Sequence, residues 1–145
     1  MIFLGNDHAG YRLAIRLHEK MLKNYMHVIH HGCVTADTPT DYPLFAKRVC
    51  KSVQEIDLHY RGILVCGTGI GMCMAANKQY HIRAALCERP GQARLAREHN
   101  NANVLCLAGA RLTIDDAWPV VESFLHTPFS QEERHIKRLG MFNDS

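Results

Sequence analysis

Residues 66–71, Cys66-Gly67-Thr68-Gly69-Ile70-Gly71, concentrate more chemistry than any other stretch of this 145-residue chain. Three glycines at alternate positions let backbone N–H groups close around an anion, and a helix starting just beyond them adds unpaired donors and a positive dipole end. Cys66 and Thr68 place a thiol and a hydroxyl at the rim of that cradle. A strand-end cysteine is commonly just a packed core residue. At a helix start, however, the donors and dipole lower a thiol pKa from about 8.5, and the thiolate serves as nucleophile or base. A dinucleotide fingerprint fits poorly, because its sixth place is Met72, although Glu88 at the next strand end stands where an acidic ribose ligand belongs. No Gly-Lys-Ser/Thr follows at Walker spacing, which excludes a P-loop. The reading left is an anion cradle beside a thiol, suited to stabilising an oxyanion that develops during reaction. A Cys–His acyl-transfer site would need His99 within hydrogen-bond reach, which spacing alone leaves open.

Further candidates lie elsewhere along the chain. Asp7 and His8 close the first apolar run, where a carboxylate and an imidazole would meet a ligand at a strand's carboxyl end; Asp7 can equally cap the helix that follows. Asp41 is a helix cap or a site residue on the same grounds. Arg134 and Arg138 are four apart on one face of a last helix, with His135 and Lys137 directed elsewhere. Such a guanidinium pair suits a phosphate or a solvated surface. His30 and His31 beside Cys33 lack a second ligand cluster at zinc spacing, so they read as loop or surface histidines and no metal site is expected.

The elements that must hold these residues follow from hydrophobic periodicity. Apolar runs at 1–5, 27–31, 62–66, 83–87 and 103–107 read as strands. Leu13, Leu17, Met21 and Leu22 recur at helical spacing, and further helices are expected at 44–54, 72–78, 90–99, 113–125 and, capped, 130–139. Pro119 lies deep in its pattern and predicts a kink or a late start. Strands alternating with helices at intervals of about 20 to 30 residues argue for a parallel sheet with helices on both faces, a three-layer α/β/α Rossmann-like fold. Its strand ends bring Asp7, His8, residues 66–71 and Glu88 to one edge, whereas the helix end at His99 and Asn100 need not share that edge in the same subunit.

The length is that of one domain, residues 1–145, with 130–145 a C-terminal helix and tail. A formal charge of +3, which ten histidines raise below pH 7, suits small anions; with no Lys/Arg run beyond two residues it argues against nucleic acid. Six cysteines without a CxxC pair, a signal peptide or a spanning apolar segment point to a reduced, cytoplasmic protein with no membrane partner.

Taken together, Asp7-His8-Ala9-Gly10, Thr40-Asp41-Tyr42-Pro43, Cys66 to Gly71, Ala75-Ala76-Asn77-Lys78, His99-Asn100, Asn103-Val104-Leu105 and Arg134-His135-Ile136-Lys137-Arg138 resemble, in that order, the type B ribose-5-phosphate isomerases and the related galactose-6-phosphate isomerase subunits. The resemblance implies a five-stranded parallel sheet of order 2-1-3-5-4. It implies a homodimer, in some members a dimer of dimers, with sites between subunits, and neither metal nor organic cofactor. The activity implied is an intramolecular oxidoreduction, aldose to ketose phosphate through an enediolate, in the pentose phosphate pathway. Carried over, Cys66 is the base between carbons 1 and 2, Thr68 a proton relay, and Gly67, Gly69 and Gly71 the enediolate donors. His99 of the partner opens the sugar ring with Asp7 near the ring oxygens. His8, Arg134 and Arg138 hold the phosphate, joined by Arg111 of the other subunit, while Asn100, Tyr42 and Asp41 position the sugar. Retention of the whole set in one chain favours a self-sufficient ribose-5-phosphate isomerase over an isomerase of a six-carbon substrate such as allose 6-phosphate or galactose 6-phosphate.

Overall fold

The five apolar runs form strands β1 (Ile2–Asn6), β2 (Val28–His30), β3 (Arg61–Cys66), β4 (Ala84–Leu86) and β5 (Val104–Ala108). Between and after them come helices α1 (Tyr11–Lys23), α2 (Tyr42–Glu55), α3 (Ile70–Asn77), α4 (Pro90–Glu98), α5 (Ile114–His126) and α6 (Glu133–Gly140), then one 3₁₀ turn, Met141–Asn143. This is a computed structural model describing residues 1–55 and 59–143, so the last two residues of the expected tail lie outside the described residues. All strand pairs are parallel, in the order β2-β1-β3-β5-β4. Parallel neighbours cannot be joined by a tight turn, so each connection crosses the sheet as a helix.

Alternation along the three central strands divides the core. Ile2, Leu4, Ile63, Val65, Leu105 and Leu107 face α1, α4 and α5; Phe3, Leu64, Cys66, Val104 and Cys106 face α2 and α3. β1, β3 and β5 are therefore covered on both sides, as the interior of a parallel sheet requires. In α1 the buried stripe is Leu13, Ala14, Leu17 and Met21, while Leu22, grouped with it by spacing, is exposed. No helix among the described residues is long and apolar enough to cross a membrane.

The element boundaries depart from the sequence reading at several elements. β2 and β4 are each two residues shorter than their apolar runs, in keeping with their places at the sheet edges, where one ladder is missing. α3 starts at Ile70 rather than Met72, because Gly69 at φ 74° turns the chain straight into the helix. α5 has no late start at Pro119. It begins at Ile114 behind Thr113, whose hydroxyl accepts the Asp116 N–H while the Asp116 carboxylate accepts the Thr113 N–H. That reciprocal cap is worth on the order of 1 kcal/mol, and the buried face Ala117, Trp118, Val120, Val121 and Phe124 carries the helix past the N–H that proline lacks. α6 starts at Glu133 rather than at Ser130, with Glu132 in the N-cap position and no side-chain cap hydrogen bond, so the expected cap is absent.

α1 enters the sheet by backbone contact. A β-carbon on Gly10 would sit 2.1 Å from the Val65 carbonyl oxygen and 3.0 Å from the Cys66 nitrogen, so only glycine admits the helix start against the end of β3. Gly10→Ala is accordingly expected to destabilise the fold by at least about 2 kcal/mol through overpacking against backbone, read as a lowered urea midpoint at unchanged slope.

Candidate active site

At the carboxyl edge of the sheet the chain assembles the first group of candidates. Cys66 ends β3 on the α2–α3 face and is buried at 5% exposure. Its carbonyl accepts the Gly109 N–H at 2.8 Å, and the Gly67 carbonyl accepts that of Ala110 at 3.0 Å, so the turn is tied to the end of β5. Gly69 must be glycine: its positive φ and a β-carbon position 2.5 Å from Leu86 Cδ1 leave no room for a side chain. Thr68 is exposed, and its Oγ1 accepts the Ile70 N–H at 3.2 Å. The next two donors of the first turn, Gly71 and Met72, have no intrahelical partner by helix geometry, the arrangement that suits an anion. The Tyr42 ring lies on Gly71, 2.7 Å from where a β-carbon would be, and so forms one wall of the cradle.

Asp7 is not the α1 cap, since the N-cap position is Gly10 with no side-chain cap hydrogen bond; it closes the turn ahead of the helix instead. It is buried at 5% exposure, and its Oδ1 accepts the Gly10 N–H at 2.9 Å at the start of α1. That leaves Oδ2 with no hydrogen bond inside the protein among the described residues. Beside it, His8 is held by Thr40 twice: the His8 N–H donates to Thr40 Oγ1 at 3.1 Å, and the Thr40 N–H donates to His8 Nδ1 at 3.0 Å. An Nδ1 that accepts a backbone proton leaves the proton of the neutral ring on Nε2, which makes Nε2 a donor. Asp41 is exposed just ahead of α2, its carbonyl accepting the Leu44 N–H at 3.1 Å. Arg111 stands on this same edge, paired with Glu88 at 3.2 Å across an exposed surface.

His99, Asn100, Arg134 and Arg138 are not on that edge. α4 leaves the carboxyl end of β4 and returns to the amino end of β5, so the His99–Asn100 corner is separated from Cys66 by the length of a strand, about 17 to 20 Å. There His99, Asn100, His135, Arg138, Leu139 and Phe142 enclose a pocket of about 180 Å³. Arg134, one residue before His135 and outside that lining, is paired with Glu132 at 2.9 Å. His135, read from spacing as pointing away, is instead buried at 4% exposure in the pocket wall, its ring 4.5 Å from that of His99. Burial, then the neighbouring His99, lowers its pKa.

Thr40, Ser130 and His135 are the participants that sequence reasoning gave no task, since each acts through a partner distant in sequence or at another helical phase. His30 and His31 serve packing: His30 Nε2 meets Asn6 Oδ1 at 2.6 Å, and His31 stacks on Phe3 and bonds Ser52 Oγ.

Comparison with known proteins gives one answer. The profile of the Ribose/Galactose Isomerase family matches residues 2–142. The probable ribose-5-phosphate isomerase B of Mycoplasma genitalium is 39% identical over 138 residues, covering 95% of this chain and 90% of the relative. A crystal structure of a ribose 5-phosphate isomerase from Thermotoga maritima superposes with a TM-score of 0.93 at 41% identity, over 99% of this chain and 97% of that one. The Mycoplasma genitalium ribose-5-phosphate isomerase B with bound ribulose-5-phosphate gives 0.85 at 38% identity, over 97% and 91%.

The thiols around the cradle differ sharply. Burial pushes Cys50 up to about 12 and Cys87 up to about 11. Cys73, half-buried on α3, falls to about 7 because the Cys106 thiol donates to it, an effect that outweighs its own burial and is helped by the Leu86 backbone and Asn77. Alkylation by iodoacetamide is expected at Cys73 ahead of Cys50, Cys87 and Cys106, its rate rising with pH through about 7 as the thiolate forms and levelling above. Peptide mass spectrometry across pH checks both the site and the sign.

Proposed function

The chain belongs to the ribose/galactose isomerase family, and from that premise we propose that it is a ribose-5-phosphate isomerase of type B whose active site is completed by a second copy of the chain. It interconverts ribose 5-phosphate and ribulose 5-phosphate, an aldose–ketose isomerisation. Residues 1–145 act as one catalytic domain, in a cytoplasmic homodimer serving the pentose phosphate pathway. The observation that carries the mechanism is a buried thiol, Cys66, immediately ahead of a glycine turn whose first-turn N–H groups are available to an oxyanion.

The sugar arrives as a furanose. In opening, the anomeric O1–H gives up its proton, the C1–O4 bond breaks as C1=O1 forms, and O4 takes a proton; His99 of the partner and Asp7 handle these two transfers, with no net change in protons. Cys66 thiolate then removes the proton on C2. The electron pair forms the enediolate, and the donors of residues 67–72 stabilise the charge on oxygen. Thr68 relays the O2 proton to O1, Cys66 returns its proton to C1, and C2=O2 completes the ketose. His8 through Nε2–H, with Arg111, Arg134 and Arg138, binds the phosphate, while Asp41, Tyr42 and Asn100 hold the hydroxyl groups.

Two half-sites a strand-length apart are too distant for one pentose phosphate, which is the physical argument for a site between subunits. Two measurements test the reading. Cys66→Ala is expected to lose at least about 100-fold in ribose 5-phosphate turnover, measured in the presence of a metal chelator; equal rates would reduce Cys66 to a packing residue. Cys66→Ala and His99→Ala chains, each inactive alone, are expected to regain about a quarter of full activity when mixed and allowed to exchange subunits, because half of the dimers then carry one intact site. No recovery would place the whole site within one chain.

A further inference from the structure

α6 is exposed at Arg134, Ile136, Lys137 and Arg138, yet buries His135. An apolar residue would fill that position without the cost of desolvating an imidazole, so the ring is there for its polar atoms or for what it touches. Both are visible. Ser130 Oγ accepts the Glu132 N–H at 3.2 Å and lies 2.7 Å from His135 Nδ1, a hydrogen bond that holds the ring by that nitrogen in either tautomer. The ring is wedged between His99, at 4.5 Å and tilted by 34°, and Phe129, at 6.5 Å. Position 130 is itself tied back to α4, its N–H donating to the Glu98 carbonyl at 3.0 Å. His99, by contrast, has its backbone N–H on Leu95 but no side-chain hydrogen bond among the described residues, and the contact with His135 is what its ring rests on. The charged groups around His135 are His99 on α4 and Glu132, Arg134 and Arg138 on its own segment. Three of the four disfavour a proton on it.

We propose that His135, fixed by Ser130, is a positioning residue for His99 that serves the opening of the sugar ring and no other step of the reaction. The inference rests on the isomerase reading above. Its test follows from the substrates. In ribulose 5-phosphate the hydroxyl that would close a five-membered ring onto C2 carries the phosphate, so the ketose is open-chain and only the aldose must be opened. A fault confined to ring opening therefore lowers the rate from aldose to ketose and spares the initial rate of ketose loss, because the open-chain aldose formed from the ketose leaves the site and cyclises in solution without the enzyme.

The experiment measures both directions for the unaltered chain, His135→Ala, His135→Phe and Ser130→Ala, with thermal unfolding of each. His135→Ala and His135→Phe are expected to lower kcat/KM for ribose 5-phosphate at least about tenfold through misplacement of His99, Ser130→Ala less, and all three to change the initial rate on ribulose 5-phosphate by less than about threefold. Equal losses in both directions, or no loss in either, would overturn the proposal, since a merely structural role or a phosphate-binding role acts on both substrates alike. The two readings fail separately. If the unaltered chain converts neither sugar the isomerase reading falls, whereas an active parent with direction-independent variants removes only the role of His135.

Discussion

The fit of Gly10 against the end of β3 is the constraint on which the carboxyl edge depends. With no β-carbon there, the start of α1 closes onto the Val65 carbonyl, and the Asp7 N–H reaches that same carbonyl at 3.3 Å. Gly109, bonded to Cys66, packs against the Gly10 α-carbon from the other side. Three chain segments from β1, β3 and β5 thus meet through backbone alone. Asp7, His8, the residue 66–71 turn and Arg111 share one edge of the sheet as a result, and a few tenths of an ångström of separation at Gly10 would be felt there, because packed interiors transmit displacement.

Buried polar side chains mark where this fold holds chemistry in place. Among the described residues Asn6, Asp7, Arg97 and His135 are buried, and each has a hydrogen-bond partner. Asn6 joins the end of β1 to Cys33 and His30 and so braces the loop carrying Asp7 and His8. Arg97 donates to the carbonyls of Ala102 and Thr127 and to Asn101 Oδ1, which fastens the end of α4 to the segment leading into α6. Burial brings its pKa down to about 10, still cationic at neutral pH. Leaving any such group unpaired costs about 1 to 3 kcal/mol, so the same bonds that shape the two half-sites also hold the fold to one arrangement.

The division of labour between the two edges makes sense of the proposed chemistry. The Cys66 edge offers a thiol, a hydroxyl and backbone donors, all suited to charge that develops within the substrate. The His99 edge offers imidazoles and guanidinium groups, suited to opening a ring and to binding an anion. Joining them through a second copy, as proposed, would let each half be built on a rigid strand or helix end, where a long loop from one chain would have to span the sheet.

The strands, the helices and the glycine turn were legible in the sequence because their causes are local: apolar runs of strand length, 3.6-residue stripes, and glycines where a backbone turns through positive φ. The positions of Cys66, Thr68 and the Asp7–His8 pair at the carboxyl edge were legible for the same reason, each lying at or just past a strand end that the pattern itself marks. The strand order, by contrast, came into the sequence reading only through the family resemblance, since pairing among parallel strands is set by long-range packing. Pro119 misled because a cap and a buried face outweigh one missing N–H, and α6 starts later than its pattern because the Ser130 hydroxyl meets both the Glu132 N–H and the imidazole five residues away from outside the helix. Only the tertiary structure decided that Thr40 fixes the His8 tautomer, that His135 lies against His99, that Cys106 lowers the pKa of Cys73, and that His99 and Cys66 of one chain stand at opposite ends of the sheet. Each of these depends on which atoms meet after the helices cross the sheet, and one-dimensional spacing does not encode that.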